Sequence, residues 1–148
     1  MKLEHIKSKD FNTKYPTYFK KPHNKNKFGA KRVIIDNLKF DSKSEGNLYA
    51  ELMIQEREGL IESVECQSKE ALEAYGTTIG NYYVDFKVRH LKANGGAIEF
   101  IEHKSVGTVT DLWKWKWKML LAKYHDEIER GEVICNINWY KGYKIIKR

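Results

Sequence analysis

Two acids and a lysine are spaced so that a β-hairpin would bring them together. Asp85 interrupts an apolar run that alternates as a strand does, and Glu102 and Lys104 stand two residues apart in the next run. Between the two runs lies Asn94-Gly95-Gly96, a strong turn signal. Pairing of the two strands would therefore place Asp85 beside Glu102 and Lys104, near one end of a sheet.

These side chains suit the hydrolysis of a phosphodiester bond. Carboxylates bind hard cations such as Mg²⁺, which polarise a phosphate and lower the pKa of a bound water. Two adjacent carboxylates repel each other and so favour a cation, while a lysine orients the water or stabilises developing negative charge. Acid-residue-lysine triplets also occur at Asp41-Ser42-Lys43 and Asp85-Phe86-Lys87. A surface ion pair on a strand is therefore the alternative interpretation of Glu102 and Lys104.

A third acid, Glu45, lies at the start of a predicted helix. Helical spacing puts it within the apolar stripe formed by Leu48, Tyr49, Leu52 and Met53. A carboxylate in that position is costly unless it has a partner. Two interpretations stay open: Glu45 belongs to the same site, or it completes a capping box with Ser42.

The elements that must position these residues mix helices and strands. We predict a hairpin, two helices and five further strand segments, with these bounds: hairpin 32–40 joined at Asp36-Asn37; helix from about Ser42 to Glu58, stopped by Gly59; strands 60–67, 69–75, 81–91, 97–104 and 132–140; helix 111–128. Within 81–91, Tyr82, Val84, Phe86 and Val88 should share one face. The order predicts an α/β or α+β domain with a central mixed sheet.

The segment from Trp113 to Lys118 alternates Trp and Lys, which also suits a strand. The apolar residues that follow favour a helix, in which Trp115 and Met119 would point away from the core. Cys66 and Cys135 are too few and too far apart for a disulfide framework or a zinc site, and we expect reduced thiols in the core.

The net charge of the 148-residue chain is +7, and residues 1–32 carry +8 of it against −1 for the remainder. We therefore predict a basic, partly flexible arm over residues 1–30, ahead of one domain over 31–148. Its aromatic rings and lysines suit nucleic acid, although a solvated tail would have the same charge. The predicted DNA-binding residues of this region are Lys20, Lys21, Lys25, Lys27, Lys31 and Arg32, and those of the second helix are Lys114, Trp115 and Lys118.

Several motifs together resemble the PD-(D/E)XK nuclease superfamily, in particular small phage and prophage nucleases with RecB-like or Holliday-junction-resolvase-like cores. They are Lys43-Ser44-Glu45, Gln67, Tyr83-Val84-Asp85-Phe86, Glu102-His103-Lys104 and the Lys/Trp-rich helix, preceded by 27–31 and 40–43. The resemblance covers about residues 27–138. It implies a restriction-endonuclease-like core, a mixed sheet flanked by helices.

The resemblance also implies roles for individual residues. Glu45, Asp85 and Glu102 would hold Mg²⁺ or Mn²⁺ together with the main-chain carbonyl of His103, and Lys104 would assist the water. Gln67 would support the site, unless it is an edge-strand glutamine in solvent. Val84 stands where the family has proline. His103 replaces a residue that is usually apolar, so we expect it to point away from the metal as a packed or surface histidine, or as a DNA contact.

We therefore expect a Mg²⁺- or Mn²⁺-dependent DNA endonuclease, selective for branched or junction DNA in phage recombination or replication. The alternative is a non-catalytic nucleic-acid-binding module that uses the arm and the Trp/Lys helix, although that helix surface would equally suit packing. A homodimer would supply the two active sites that a symmetric junction requires. Because the sequence contains no apolar run of about 20 residues, we expect a cytoplasmic protein, in the bacterial host cell if phage-encoded.

Overall fold

The computed structural model describes residues 30–140. Except for Ala30, the predicted arm lies outside the described residues, and so do Lys20, Lys21, Lys25 and Lys27. The described elements are β1 (Val33–Ile35), β2 (Leu38–Phe40), α1 (Lys43–Arg57), β3 (Ile61–Ala74), β4 (Thr77–His90), β5 (Ile98–Lys104), α2 (Asp111–Lys123), α3 (His125–Glu129) and β6 (Val133–Trp139). None of the helices within 30–140 combines the length and the apolar character that crossing a bilayer requires.

Four strands form the central sheet, in the order β3-β4-β5-β6. The β3–β4 and β4–β5 pairs are antiparallel, whereas β5 and β6 are parallel. β1 and β2 form a separate hairpin, whose turn residues Asp36 and Asn37 have φ angles of 50° and 63°, as a type I′ turn requires. The predicted α+β fold, with a mixed central sheet and flanking helices, is confirmed.

The two long helices cover opposite faces of this sheet. Ile101 packs in the core cluster of α1 and Phe100 in that of α2, and successive residues of a strand point to opposite faces. The first cluster contains Phe40, Tyr49, Leu52, Ile61, Phe86, Val88 and Ile101, and the second contains Leu72, Tyr82, Val84, Phe100, Trp117, Leu120 and Val133.

Helix α1 begins and ends where the sequence predicts. Ser42 is the N-cap, and its hydroxyl accepts the amide hydrogen of Glu45, while Gly59 follows the last turn with a φ of 69°. Gly46 lets the β1–β2 hairpin approach closely, because a Cβ there would lie 2.7 Å from Val33 Cγ2. The first turn of α1, which carries Glu45, is therefore held against the hairpin.

The prediction of two strands over 60–67 and 69–75 is wrong, because β3 is one strand distorted at Gln67, whose φ is 52°. The prediction that Val84 and Phe86 share a face is also wrong, since they pack in the second and first clusters respectively. Residues two apart in a regular strand face the same way. The direction in which side chains point therefore changes at Gln67 in β3 and at Asp85 in β4. Asp85 lies between Val84 and Phe86.

The predicted helix over 111–128 is two helices, interrupted at Tyr124. The Tyr124 hydroxyl donates to the buried carboxylate of Glu70 at 2.7 Å, and the Lys123 ammonium donates to the same carboxylate at 3.0 Å. These contacts with β3 hold the interruption in place. Trp115 is exposed as predicted, whereas Met119 packs against the second cluster, contrary to prediction.

Leu120→Ala should lower the free energy of unfolding by about 2–5 kcal/mol, the range for truncating a buried leucine. Leu120 on α2 is fully buried, whereas Leu112 on the same helix is 63% exposed. Leu112→Ala is therefore the matched control and should cost less than about 0.5 kcal/mol. Urea unfolding of both variants measures the difference, and equal losses would contradict this packing of α2.

Candidate active site

The β4–β5 ladder ends just before the predicted site residues. Its last pair is Phe86 with Ile101, and the next pair in register would be Asp85 with Glu102. Instead, the His103 amide donates to Asp85 Oδ2 at 2.8 Å, and Gln67 Nε2 donates to Asp85 Oδ1 at 3.3 Å. The Asp85 side chain therefore replaces a ladder bond and lies in a gap between the strands, with Gln67 as its support.

Glu102 and Lys104 form an ion pair beside this gap. Lys104 Nζ is 2.6 Å from Glu102 Oε1, and Glu102 is 2% exposed. Glu102 Oε2 is buried and makes no hydrogen bond of normal length with any residue within 30–140, and the Tyr82 hydroxyl interacts with the same carboxylate at longer range. One oxygen of this carboxylate is thus neutralised by a lysine, and the other is open to a further positive group.

Helix α2 supports the ion pair from the side opposite α1. Lys104 Nζ lies 5.1 Å from the centre of the Trp113 ring, a cation–π distance. The Trp113 indole in turn donates to the Tyr82 hydroxyl at 2.9 Å. Burial, and next the charge of Glu102, raise the pKa of Tyr82 above its ordinary range, so this phenol stays protonated.

Glu45 approaches the same gap from the first turn of α1. Its amide donates to Ser42 Oγ at 3.1 Å, but its carboxylate accepts the Asp41 amide at 3.2 Å, so the capping box with Ser42 is only half formed. Burial raises the pKa of Glu45, and the charges of Asp41 and Glu102 raise it further, against the lowering effects of the Asp41 amide and Lys104. The Glu45 carboxylate is therefore close enough to interact electrostatically with both Glu102 and Lys104.

The pKa of Asp85 depends on the charges of Glu102, Glu45 and Lys104. Burial, and next the charge of Glu102, raise its pKa to about 7, with Glu45 adding to the rise. The His103 amide and Lys104 act in the opposite direction without cancelling it. Asp85, Glu102, Glu45 and Lys104, which are far apart in the chain, thus influence one another at one end of the sheet.

The donors present are those that a hard divalent cation takes. Three carboxylates lie within electrostatic range of one another, and one buried oxygen of Glu102 makes no hydrogen bond of normal length with the described residues, which matches the oxygen preference of Mg²⁺ and Mn²⁺. In their present positions, no three His, Cys, Asp or Glu side chains within 30–140 could hold a metal ion. Binding a cation would therefore require these carboxylates to turn towards one another.

The His103 side chain joins β5 to two neighbouring elements. Its ring is bonded to Ser44 on α1 and to Asn138 on β6, each at 2.9 Å. The sequence interpretation did not assign Ser44, Tyr82, Trp113 or Asn138 to the site. His103 stands in the sequence where an apolar residue was expected. That substitution was the signal that polar partners surround this position.

The described part of the predicted DNA-binding set is exposed. Arg32 pairs with Asp41 at 3.2 Å, and Lys114 pairs with Asp111 at 3.2 Å. Trp115 is 47% exposed on α2, near Lys114 and Lys118 in the chain. Cys66 and Cys135 are free thiols, as predicted, and they are partly buried.

Comparison with known proteins gives one family. A family model described as "Protein of unknown function (DUF1064)" matches residues 25–142, a span that includes every residue of the gap described above. No curated protein and no solved structure matches the chain.

Asp85→Asn should make the metal-free protein more stable at about pH 8 and leave it little changed at about pH 4. The pKa of Asp85 is raised from 3.8 to about 7, so in that window the folded chain binds the extra proton and the wild type loses stability as pH rises. The asparagine oxygen can still accept the His103 amide.

Thermal unfolding in a chelating buffer measures this effect. Asp126→Asn, which removes an exposed carboxylate on α3, is the control and should follow the wild-type pH profile. A stability difference between wild type and Asp85→Asn that is the same at every pH would contradict the raised pKa.

Proposed function

Since the chain belongs to the DUF1064 family, whose function is unknown, we propose from the site itself that this protein is a metal-dependent deoxyribonuclease. It hydrolyses phosphodiester bonds and uses Mg²⁺ or Mn²⁺. The observation that carries the proposal is the meeting of Glu45, Asp85, Glu102 and Lys104 at a gap in the sheet, with a buried carboxylate oxygen that makes no hydrogen bond of normal length with the described residues.

The buried charge argues for a catalytic site over a structural one. Burial and the charges of neighbouring acids raise the pKa of Glu45 and of Asp85, so ionised carboxylates in these positions cost stability. Such a cluster is typical of sites where function requires it. A pure phosphate-binding surface would be weakened by it, because carboxylates repel phosphate.

Each residue has a defined task in this mechanism. Glu45, Asp85, Glu102 and the main-chain carbonyl of His103 would hold the divalent ion. When bound, that ion supplies positive charge to the phosphate and acidifies a bound water. Lys104 has three N–H donors, so it can keep its bond to Glu102 and still donate to a phosphate oxygen or to the attacking water. Trp113 and Tyr82 keep that ammonium in place.

Two features support DNA as the substrate. Residues 1–32 carry a charge of +8, which would neutralise several backbone phosphates. Lys114, Trp115 and Lys118 add cations and an exposed ring on α2, a combination that binds unpaired nucleotides. We propose selectivity for branched or junction DNA, and a homodimer as the form that would cut a symmetric junction.

The proposal is tested by incubating the full chain with linear, single-stranded, flapped and four-way DNA, each with Mn²⁺, with Mg²⁺ and with a chelator. Cleavage that needs the metal and favours branched substrates is the expected result. Tight binding of these DNAs without cleavage in either metal would instead support the non-catalytic binding module.

Glu102→Gln should lower the cleavage rate by at least about a hundredfold, since it removes a negative charge from the proposed metal site. Glu99→Gln, the same change three residues earlier on β5, removes the partner of His90 and should leave the rate within a few-fold of wild type. Single-turnover cleavage at saturating metal measures both. Equal rates for the two variants would rule out the site.

Lys104→Ala should reduce kcat by about 10²–10³-fold, the usual loss for a group that stabilises transition-state charge. Lys92→Ala, which removes an exposed lysine in the turn before β5, is the control and should retain wild-type kcat. Full activity of Lys104→Ala would exclude the lysine from the chemistry.

Replacing Lys114 and Lys118 by alanine should raise KM several-fold without lowering kcat, and should reduce the salt dependence of DNA binding by about one unit per lost phosphate contact. Tryptophan fluorescence should change on adding DNA, and Trp115→Phe should abolish most of that change. An unchanged salt dependence, or an unchanged signal in Trp115→Phe, would count against this surface.

A further inference from the structure

Three polar side chains on the α1 side of the sheet form a continuous hydrogen-bonded chain. Ser44 Oγ lies 2.9 Å from His103 Nε2, and His103 Nδ1 lies 2.9 Å from Asn138 Oδ1. We call Ser44, His103 and Asn138 the relay. They come from α1, β5 and β6, so the relay joins three separate elements.

The donors of the relay can be assigned by elimination. Ser42 Oγ accepts the Glu45 amide and lies 3.1 Å from Ser44 Oγ, so the Ser42 hydroxyl can donate to Ser44. Ser44 then donates to His103 Nε2, and His103 donates through Nδ1 to the amide oxygen of Asn138. Each hydroxyl and ring nitrogen is satisfied in this arrangement, with His103 neutral.

The relay residues are chain neighbours of Glu45, Glu102 and Lys104 and bond to Asp85, but they contribute no side chain to the proposed metal site. Ser44 precedes Glu45, and His103 stands between Glu102 and Lys104. The His103 amide donates directly to Asp85. Asn138 is the register partner of His103 on β6. The orientation of the His103 peptide therefore depends on contacts with both α1 and β6.

We infer that Ser44, His103 and Asn138 are positioning residues that fix the His103 peptide, and through it the backbone positions from which the carboxylates turn towards the metal. This inference rests on the proposed function. With the ring held at both nitrogens, the β5 backbone cannot rotate at His103, so its amide stays on Asp85 and its carbonyl keeps a constant direction. The relay also holds α1, and hence Glu45, at a constant distance from β5.

A serine hydroxyl bonded to an imidazole that is held by a third polar side chain also occurs in enzymes with a nucleophilic serine. Here both ends of the relay are anchored in structural elements, and the middle residue is tied to Asp85. A positioning role therefore explains more of its contacts than a nucleophilic role does. Reaction of Ser44 with a fluorophosphonate probe would overturn the inference, and no labelling is the expected result.

The main test measures Mn²⁺ binding by calorimetry in the absence of DNA. Ser44→Ala and Asn138→Leu should each weaken binding about tenfold, within the range for residues that orient metal ligands. Both should leave the urea midpoint nearly unchanged, because Ser44 is only partly buried and Asn138 is exposed. Ser44→Thr keeps the hydroxyl and should restore wild-type binding.

Two comparisons separate positioning from a general structural effect. Asn136→Leu makes the same change two residues earlier on β6, at an exposed asparagine that bonds Glu99 instead, and should bind Mn²⁺ as the wild type does. The double variant Ser44→Ala/Asn138→Leu should be no weaker than about tenfold, because both changes act through His103. A hundredfold loss, or equal losses in Asn136→Leu and Asn138→Leu, would overturn the relay.

The outcomes also distinguish this inference from the proposed function. A wild-type protein that neither binds Mn²⁺ nor cuts DNA would overturn both. A wild-type protein that binds Mn²⁺ and cuts DNA, while Ser44→Ala and Asn138→Leu bind the metal equally well, would overturn the relay alone. In the expected case the relay variants lose kcat together with metal affinity and keep the wild-type KM for DNA.

Discussion

The hydrogen bond from the His103 amide to the Asp85 carboxylate replaces a backbone hydrogen bond between β4 and β5, and the site depends on it. In a regular ladder the backbones of β4 and β5 would stay paired at Asp85 and Glu102. Instead β3 and β4 rotate at Gln67 and Asp85, and a gap opens between β4 and β5. Because α1 and α2 cover opposite faces of the sheet, Glu45 can enter this gap from one side while Lys104 is held from the other.

Glu45 and Glu102 are buried and Asp85 is half-buried, so all three carboxylates need compensation, and each receives a different kind. Asp85 accepts from a main-chain amide and from Gln67, Glu102 pairs with Lys104, and Glu45 accepts from the Asp41 amide. The compensation is incomplete, since burial and mutual repulsion raise the pKa of Asp85 and of Glu45. Retaining such a cluster costs stability, and a bound divalent ion would offset that cost. This is the physical link between the fold and the proposed activity.

Features that depend on neighbouring residues were predictable. Asp36-Asn37 accounts for the tight hairpin, Ser42 and Gly59 bound α1, and Asn94-Gly95-Gly96 connects β4 to β5. Features that depend on distant partners were not. Tyr124, where the second predicted helix is interrupted, bonds Glu70, 54 residues away. β3 continues past Gln67 as one strand, since β4 pairs with it on both sides of that residue.

The sequence by itself determined the types and order of the elements, and it singled out Glu45, Asp85, Glu102 and Lys104 as acids and a lysine set among apolar neighbours. Local periodicity and turn chemistry act over a few residues, so they can be read along the chain. Only the tertiary structure decided which groups meet these residues: Trp113 beside Lys104, Tyr82 beside Trp113, and Ser44 and Asn138 around His103. Those contacts depend on how strands rotate and which face each helix covers, and no spacing in the sequence encodes a rotation at Asp85.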